Sequence, residues 1–520
     1  MQDIPEPRAR TRPRALVHSA VLYGAIGYHI EIEAYTSPGR TAIVLNGLPD
    51  GTIHEVRDRI RAAIINSGLT WPDRRATVNI LPASVPKPGS SLDLAIAVAL
   101  LVASEQLSPD AIANTGIIGE VGLDGALRPV RGMLALAVAA SRAGIRRLLV
   151  PAANLPEAAL TPGITVHAAR TLAELVDGLR GDTALHTPPT QAPAVEPVSA
   201  PRPGRDLADI AGQPLGRRAL ELAAAGGHHL ALLGPPGSGG TMLAERLPSI
   251  LPDLDDDAAL EVSALYSAVG MLPPGGQLLR RPPWQAPHHT VTLAALLGSG
   301  SGPVRPGALP LAHRGTLLLN AADRFPASTI RAVADALHHG TISVTRAGRR
   351  VEFPTRAQLI LTAAQCPCSD PTNCDCPPTV RSRYRRRLAR LLDLVDIEVT
   401  RPHPSPTPPG DPAMPVEPSR AVAQRVTQAR TRAAARWSAH GWRTNAQASR
   451  DALRHALGRV PTDWFAPLQH RIDSGSLSPR DTIRVLRLAF TVADLSGHPN
   501  PTAEDLTEAI WLRTGQEVTR

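Results

Sequence analysis

A glycine-rich segment at residues 231–243 has the spacing of a phosphate-binding loop but lacks the lysine of that motif. An apolar run leads into Gly234, glycines follow at the expected positions, and Thr241 is expected to open a helix. The motif places a lysine before this threonine, because its ammonium group reaches the β- and γ-phosphates of a nucleotide. Gly240 stands in that position, so we predict a loop that keeps its backbone and has lost its charge. The candidate phosphate-binding residues are Gly234, Pro235, Gly237, Ser238, Gly239, Gly240 and Thr241.

The cysteines indicate a second kind of chemistry. All four lie within residues 366–376, as the pairs Cys366 with Cys368 and Cys374 with Cys376. Secreted proteins distribute cysteines as disulfide staples, whereas a tight cluster in an intracellular chain indicates a metal. Four thiolates are the ligand set of a closed tetrahedral zinc site, so we predict a structural Zn²⁺. The alternative is a set of reduced thiols without a metal.

Arginine-rich segments are candidates for contact with nucleic acid. Residues 341–346 and 349–353 flank an Ala-Gly turn, which predicts a β-hairpin with Arg346, Arg349 and Arg350 near its tip. Arginines of this kind neutralise phosphates without reading base sequence. The alternative is a solvated arginine face, since the chain uses lysine only once, at position 87. A second basic run contains Arg381, Arg383, Arg385, Arg386, Arg387 and Arg390.

The composition indicates a globular protein of more than one domain. A chain of 520 residues is too long for one core, and 43% of its residues are apolar. No apolar run approaches the roughly 18 residues of a membrane span. No signal-type apolar region opens the chain either, so we expect a cytoplasmic protein without a membrane partner. The net charge of +9 is compatible with an acidic partner such as nucleic acid.

Two proline-rich segments, at residues 187–205 and 402–418, have few residues able to pack and are typical of a linker and a loop. They divide the chain into predicted domains at 1–186, 206–401 and 419–520. In the central domain, strands at 230–233, 316–319 and 358–362 alternate with helices, which is typical of a parallel α/β sheet. In the first domain we predict strands at 42–45, 77–81 and 147–150 and helices at 54–67, 92–103 and 135–143.

The last domain has helical periodicity, with Ser478 and Thr502 in N-cap positions. We expect Arg430, Arg432 and Arg436 to be exposed on its first helix. The predicted helices span residues 420–439, 446–458, 480–496 and 503–513.

Short segments in a fixed order connect the chain to a known family. They lie at residues 46–50 (Asn-Gly-Leu-Pro-Asp), 57–63, 78–83, 119–125, 128–132, 286–290 (Ala-Pro-His-His-Thr), 305–307, 311–315, the cysteine cluster and 487–495. Together they resemble the YifB/ComM-type magnesium-chelatase-like AAA+ proteins along nearly the whole chain. The resemblance implies an N-terminal Lon-protease-like α+β domain (ribosomal S5 domain 2-like), a central AAA+ P-loop α/β domain and a C-terminal helical lid. It also implies an oligomeric ring, ATP or ADP bound with Mg²⁺, and a hairpin that faces DNA in the ring pore.

The Lon-like domain raises the question of proteolysis. Ser91 lies where the resemblance would place a Lon-type serine. A Ser–Lys dyad needs a lysine that accepts the hydroxyl proton, and the matching position is Leu136. Lys87 lies within the serine loop itself. We therefore expect a folded domain that is not a protease.

The resemblance also shows which ATPase positions have changed. The strand that ends in Asp-Glu in the family ends here in Asn320 and Ala321, so the metal-binding carboxylate and the water-polarising glutamate are missing. The sensor asparagine is replaced by Ala364, and the arginine that acts across a subunit interface by Leu394. Arg480 remains as a candidate sensor-2 arginine.

We therefore predict a degenerate family member that does not hydrolyse ATP efficiently by itself. Its expected role is that of a DNA-associated or regulatory subunit, on single- or double-stranded DNA, in a homo- or hetero-oligomeric ring with AAA+ partners. One alternative is an active ATPase for DNA branch migration or remodelling whose site is rebuilt by other residues. Another is an interaction scaffold that binds neither nucleotide nor DNA.

Overall fold

The computed structural model describes residues 15–188, 205–210, 212–273, 275–299, 304–346, 349–368, 374–401, 417–458 and 462–515. Apart from their ends, the two proline-rich segments fall outside these ranges. Within the described ranges, no helix is both long and apolar enough to cross a membrane.

A seven-stranded sheet with the order β3-β4-β2-β1-β5-β8-β9 organises the N-terminal part. Its strands, with the short pair β6–β7 beside them, are β1 (Ala15–Tyr23), β2 (Ile26–Ser37), β3 (Ala42–Asn46), β4 (Arg75–Leu81), β5 (Thr115–Ile117), β6 (Glu120–Val121), β7 (Leu127–Arg128), β8 (Arg147–Pro151) and β9 (Thr165–Ala169). The α-helices are α1 (Ile53–Asn66), α2 (Asp93–Ala103), α3 (Met133–Arg142), α4 (Leu155–Ala158) and α5 (Leu172–Arg180).

The predicted helices and strands of this part are confirmed with small shifts at their ends, but β1 and β2 were not predicted. Their antiparallel pairing is the longest ladder of the sheet. In β2, Ile30, Ile32 and Ala34 are buried while the residues between them are partly exposed, which is the period-2 pattern of a half-buried strand. Helix α2 is apolar all round apart from its first residue and is buried over its whole length.

The central part contains a five-stranded sheet with the order β11-β14-β17-β10-β18, in which every neighbouring pair is parallel. Its strands and two short pairs are β10 (Leu230–Leu233), β11 (Trp284–Gln285), β12 (Gly298–Ser299), β13 (Arg305–Pro306), β14 (Thr316–Leu319), β15 (Thr341–Arg346), β16 (Arg349–Pro354), β17 (Gln358–Ala363) and β18 (Ile397–Thr400). The helices are α6 (Pro214–Gly226), α7 (Gly240–Ala244), α8 (Leu247–Ile250), α9 (Asp256–Ala268), α10 (Leu293–Leu297), α11 (Ala308–Leu311), α12 (Ala327–His339) and α13 (Pro378–Leu392).

Parallel strands bring the residues that follow them to one edge of the sheet. Gly234, Asn320, Ala364 and Arg401 follow β10, β14, β17 and β18 directly, so all four lie at this carboxyl edge. The predicted central strands are confirmed, and β18 is an addition that the sequence analysis missed.

The C-terminal part is helical, as predicted. Its helices are α14 (Ser419–Arg436), α15 (Arg450–Leu457), α16 (Ala466–Asp473), α17 (Pro479–Ser496) and α18 (Ala503–Thr514). The hydroxyls of Ser478 and Thr502 cap α17 and α18 as expected. Helix α15 begins later than predicted, because Ser449 caps it and a separate 3₁₀ turn precedes it. One apolar cluster joins these helices to α6 and to the central sheet.

The expectation that Arg430 and Arg436 are exposed is wrong. Arg430 Nε donates to the carbonyl of Ala224 at 2.8 Å, and Arg436 forms a buried ion pair with Asp494 of α17. Both arginines are therefore structural contacts between helices. Arg432 is exposed, but its guanidinium also binds the backbone carbonyl of Asp494.

Candidate nucleotide site

A cavity of about 550 Å³ lies at the carboxyl edge of the central sheet. Its volume is within the range of pockets that enclose small organic ligands. The residues that line it come from the ends of four strands and from α13, and they include the loop 234–242 together with Leu232, Asn320, Ala321, Asp323, Arg324, Thr362, Ala363, Ala364, Cys366, Pro367, Tyr384 and Arg401. The structure thus brings the predicted loop and Asn320 together.

The loop has the backbone of a phosphate-binding turn. The amide of Gly234 donates to the carbonyl of Ala363 at 3.1 Å, which ties the start of the loop to β17. Gly237 and Gly239 have φ values of +80° and +81°, which favour glycine over residues that carry a Cβ. Ser238 between them is buried, and its Oγ has no hydrogen-bond partner among the described residues.

Arg401 occupies the space next to Gly240, where the motif would have its lysine. A Cβ built on Gly240 would lie 2.2 Å from Nη2 and 2.9 Å from Cζ of Arg401. The backbone amide of Arg401 donates to Leu233 at 2.8 Å, and its Nη1 donates to the carbonyl of Ser238 at 2.5 Å. A residue at position 240 larger than glycine therefore overlaps this guanidinium. No local sequence pattern indicated a role for Arg401.

The Arg401 side chain is buried and has no anionic partner among the described residues. The residue is 5% exposed, no ion pair joins it to a carboxylate of that part of the chain, and its Nε has no hydrogen-bond partner there. Burial lowers the pKa of Arg401 to about 10, so the guanidinium stays charged at neutral pH. A buried cation of this kind is unusual, because buried charges are normally paired.

Asn320, which we predicted at the position of a metal-binding carboxylate, lies in a neutral hydrogen-bond network. Its Oδ1 accepts from the hydroxyl of Thr241 at 3.0 Å and from that of Thr362 at 2.6 Å. The same Thr362 oxygen accepts from the amide of Ala321 at 2.9 Å. Mg²⁺ is normally held through carboxylates and substrate phosphates. The donor set at this position does not fit it, because a neutral amide oxygen already accepts from two hydroxyls.

Asp323 is the one carboxylate among the described residues that line the cavity. It follows Asn320 on a short 3₁₀ turn and interacts with the phenol of Tyr384, whose pKa is raised by burial and then by this charge. Tyr384 also donates to the carbonyl of Ala364 at 2.8 Å. Arg324, next to Asp323, is exposed and also lines the cavity.

The structure does not bring Arg480 to this cavity. Arg480 and Leu394 line a different and larger cavity of about 1000 Å³, at the amino edge of the sheet. Within one chain, the candidate sensor-2 arginine and the missing finger position therefore lie away from the P-loop. Ala364 lies at the nucleotide cavity and offers only its backbone there.

The cysteine loop begins at the nucleotide cavity, with Cys366 in its wall. The Sγ atom of Cys366 lies 3.1 Å from that of Cys374, 3.4 Å from that of Cys368 and 4.0 Å from that of Cys376. All four sulfurs lie within 4.8 Å of one another. The hydrogen bond from Cys366 lowers the pKa of the Cys374 thiol to about 7. Such a set of sulfurs fits a tetrahedral zinc ion.

The predicted hairpin is confirmed as β15 and β16, with Arg346 paired to Arg349. The two turn residues and the side chains of Arg346 and Arg349 lie outside the described part of the chain. Arg350 is exposed, but it forms an ion pair with Glu352 at 2.8 Å on the same strand. The opposite face of β16 packs against the N-terminal part, in one cluster that contains Val351, Phe353, Ala25 and Ala135.

The second basic run forms the exposed side of α13. Within the described ranges no ion pair involves any of its arginines. Arg387 differs from the others, because its guanidinium donates to the carbonyl of Phe325. The exposed arginines with no such hydrogen bond among the described residues are Arg381, Arg383, Arg385, Arg386 and Arg390.

The structure places the residues of the Lon-type comparison, Leu136, Lys87 and Ser91, in different surroundings. Leu136 is fully buried in an apolar cluster of α3. Lys87 donates from Nζ to the carbonyls of Pro82 at 2.7 Å and Val85 at 3.1 Å. Ser91 is 9% exposed and precedes α2.

Comparisons with known proteins match most of the chain. Three family profiles cover it: "Subunit ChlI of Mg-chelatase" at residues 32–154, "Magnesium chelatase, subunit ChlI" at 206–407, and "Magnesium chelatase, subunit ChlI C-terminal" at 416–513. An uncharacterised protein of Mycobacterium tuberculosis is 42% identical over 500 residues, which are 95% of this chain and 97% of that protein.

Two further relatives have names. The uncharacterised protein YifB of Escherichia coli is 36% identical over 503 residues, 96% of this chain and 97% of its own. The competence protein ComM of Haemophilus influenzae is 33% identical over 508 residues, with the same coverage of 96% and 97%. A Lon protease of Salinispora arenicola is 27% identical over 189 residues, 34% of this chain and 23% of the protease.

The overlap between residue 240 and Arg401 generates a stability prediction. Gly240→Ala forces the buried guanidinium to move, so we expect a loss of about 1–3 kcal/mol in the free energy of unfolding, as in other overpacked sites. In an Arg401→Ala background the same substitution costs less, because the overlap is gone. A double-mutant cycle by urea denaturation measures this coupling. Gly51→Ala is the control, because a Cβ there meets nothing within 4 Å. Equal costs in both backgrounds would contradict the placement of Arg401.

Proposed function

We propose that this chain, which belongs to the magnesium chelatase-like family of YifB and ComM, is a AAA+ subunit that does not hydrolyse ATP and associates with DNA. The proposal includes an oligomeric ring in which catalysis, where it occurs, depends on AAA+ partners. It also keeps the predicted arrangement of a Lon-like domain at 1–186, an AAA+ core at 206–401 and a helical lid at 419–520.

The neutral network around Asn320 carries this proposal. Its two hydroxyl donors, Thr241 and Thr362, come from the P-loop helix and from β17, and both are within 3.0 Å of the same amide oxygen. A magnesium ion would have to replace these hydrogen bonds and would gain no anionic ligand. Ala321 follows, and its methyl group cannot polarise an attacking water.

The magnitudes support loss of turnover. General-base assistance contributes about 10²–10⁴ in rate, and an arginine finger about 10³–10⁵. These losses are not additive, because the groups act together. The largest single loss already slows a turnover of a few per second to roughly one event in several hours.

We therefore expect the unmodified protein to release no phosphate from ATP above background, with or without DNA, in a malachite-green assay. Gly240→Lys alone is expected to stay inactive, because the carboxylate and the base are still missing and Arg401 blocks the lysine. The matched reconstruction combines Gly240→Lys, Arg401→Ala, Asn320→Asp and Ala321→Glu, and it should bind nucleotide with Mg²⁺ before it regains any turnover. Robust turnover by the unmodified protein would refute the proposal.

An active DNA-remodelling ATPase is the second candidate, and Arg401 is the observation that favours it. Arg401 supplies a cation at the P-loop, which is one of the parts that the sequence lacks. Asp323 would have to supply the metal ligand, but it is engaged with Tyr384. None of the described residues that line the cavity offers a second carboxylate as a base. The non-hydrolysing function is therefore the better supported one.

Association with DNA rests on two sets of arginines. The hairpin β15–β16 carries Arg346, Arg349 and Arg350 in its sequence, and α13 adds five exposed arginines that have no acidic partner among the described residues. Contacts from such residues are to phosphates and carry little sequence information. One relative, 33% identical over 508 residues, is named a competence protein.

Three triple variants separate specific contacts from general charge. Fluorescence anisotropy with a labelled DNA at several salt concentrations should show weaker binding and a smaller salt slope for the first two sets, by about one for each arginine that no longer neutralises a phosphate. The hairpin set replaces Arg346, Arg349 and Arg350 by Ala. The helix set replaces Arg381, Arg385 and Arg386. The control set replaces Arg420, Arg450 and Arg454, which are exposed on α14 and α15. Equal effects of all three sets would assign binding to overall charge.

We also propose that the four clustered cysteines hold a structural zinc ion. Elemental analysis of protein purified without chelator is expected to give about one zinc per chain, as in closed four-thiolate sites. Cys366→Ser with Cys374→Ser should abolish it. His18→Ala is the control, because His18, His29 and Glu31 form the other group of metal-type ligands within the described residues. Zinc that persists without the cysteines would contradict the assignment.

A further inference from the structure

We infer that Arg401 replaces the missing P-loop lysine and that the loop binds the phosphate chain of a nucleotide without magnesium. The inference names the class of ligand that this same site binds. It rests on the proposed function only for the statement that the bound nucleotide is not hydrolysed. The positive charge comes from Arg401 at the end of β18, whereas the motif places it at residue 240, at the start of α7.

The position of Arg401 follows from strand pairing. Strand β18 is the parallel neighbour of β10, and Thr400 is paired in register with Leu233. The next residues of the two strands, Arg401 and Gly234, therefore leave the sheet side by side. The Arg401 side chain then runs beneath the loop, with its Cδ 3.6 Å from a Cβ built on Gly216 and its Nη2 2.2 Å from one built on Gly240.

The guanidinium of Arg401 lies at the point where the side chain of a P-loop lysine would start. A lysine at position 240 would project from its Cβ, and the Arg401 guanidinium already lies within contact distance of that point. Any side chain at residue 240 would therefore require the Arg401 guanidinium to move. The absence of the lysine and the presence of Arg401 are two parts of one arrangement.

The charge of Arg401 favours an anionic ligand at this place. Arg401 is 5% exposed, and within the described ranges it has a single side-chain hydrogen bond, to the carbonyl of Ser238. Its Nε and the buried Oγ of Ser238 have no partner in those ranges, and both residues line the cavity. Burial of an unpaired charged group is unfavourable, and an anion in the cavity would offset that cost.

The anion is a phosphate chain, since the planar guanidinium binds two oxygens of a phosphate at once and the loop backbone supplies further N–H donors. Magnesium has no part in this binding. Its usual ligand here, the Thr241 hydroxyl, is directed to Asn320, and Asn320 carries no charge. Among the described residues that line the cavity, Arg401 and Arg324 are positive, and they take the place of the metal in neutralising the phosphates.

A rival arrangement makes the opposite prediction. In it, the Arg401 guanidinium acts as a plug that fills the phosphate position and excludes nucleotide. Removal of the side chain would then open the site and strengthen binding. The two arrangements differ in the sign of one mutational effect, so a binding measurement separates them.

The test is isothermal titration of the full chain with ATP, tripolyphosphate and AMP, each in EDTA and in excess Mg²⁺. We expect ATP and tripolyphosphate to bind in EDTA at least as tightly as in Mg²⁺, and AMP to bind weakly. Binding of tripolyphosphate without binding of ATP would assign the site to a free phosphate chain. That result would contradict the inference that the ligand is a nucleotide. Absence of binding by ATP and tripolyphosphate, or binding only with Mg²⁺, would overturn the inference.

Variants then test the residue. Arg401→Gln removes the charge while it keeps a polar side chain, and it should weaken ATP binding on the order of tenfold to a hundredfold, the effect of removing charged hydrogen bonds. Arg401→Lys should retain part of the affinity. Arg430→Gln is the matched control, because it also removes a largely buried arginine but lies outside the cavity. Unchanged or tighter binding by Arg401→Gln would support the plug and overturn the inference.

Asn320→Asp adds a readout for the metal. The restored carboxylate should weaken ATP binding in EDTA by repulsion and should make Mg²⁺ improve it. A thermal melt of each variant checks that it is folded. Failure of the inference and failure of the proposed function remain distinguishable, because phosphate release tests the function while binding in EDTA tests Arg401.

Discussion

The parallel pairing of β18 with β10 is the constraint on which this site depends. It places the end of an edge strand beside the start of the P-loop, so that a residue more than 160 positions away in sequence enters the loop. The same pairing explains why position 240 is glycine, since a side chain there would overlap the arginine. The positive charge beside the loop is therefore supplied by Arg401, whereas the motif supplies it from position 240.

This separation has a functional consequence. In an intact site of this family type, the charge that binds phosphate and the carboxylates that hold the metal act together. In the site that we propose, only the charge is rebuilt, and Asn320 and Ala321 would leave the metal and the water without their usual groups. A site of this kind is suited to hold a nucleotide and not to cleave it. A bound nucleotide would then stabilise the folded core or a ring interface by mass action.

Local patterns predicted much of the fold. The strands at 230–233 and 316–319, the hairpin at 341–353 and the helix caps at Ser478 and Thr502 depend on periodicity and turn chemistry within a few residues. The missed features depend on interactions between distant segments. Arg401 is informative only when the order of the strands is known.

The burial of Arg430 and Arg436 has the same origin, because it depends on partners supplied by α6 and α17. Strand β2 is a different case, since the alternation of Ile30, Ile32 and Ala34 was present in the sequence. The sequence thus predicted which groups the candidate site lacks. The proposed replacement of the lysine by Arg401 could be found only from the three-dimensional structure.

The most direct test of this account is the state of a nucleotide that has stayed on the protein. The full chain is incubated with ATP and Mg²⁺, separated from free nucleotide by gel filtration, denatured and analysed by ion-exchange chromatography. The account predicts that intact ATP elutes with the protein and that Arg401→Gln carries little of it. Recovery of ADP, or of protein without nucleotide, would contradict the claim that the site was rebuilt to hold ATP without hydrolysis.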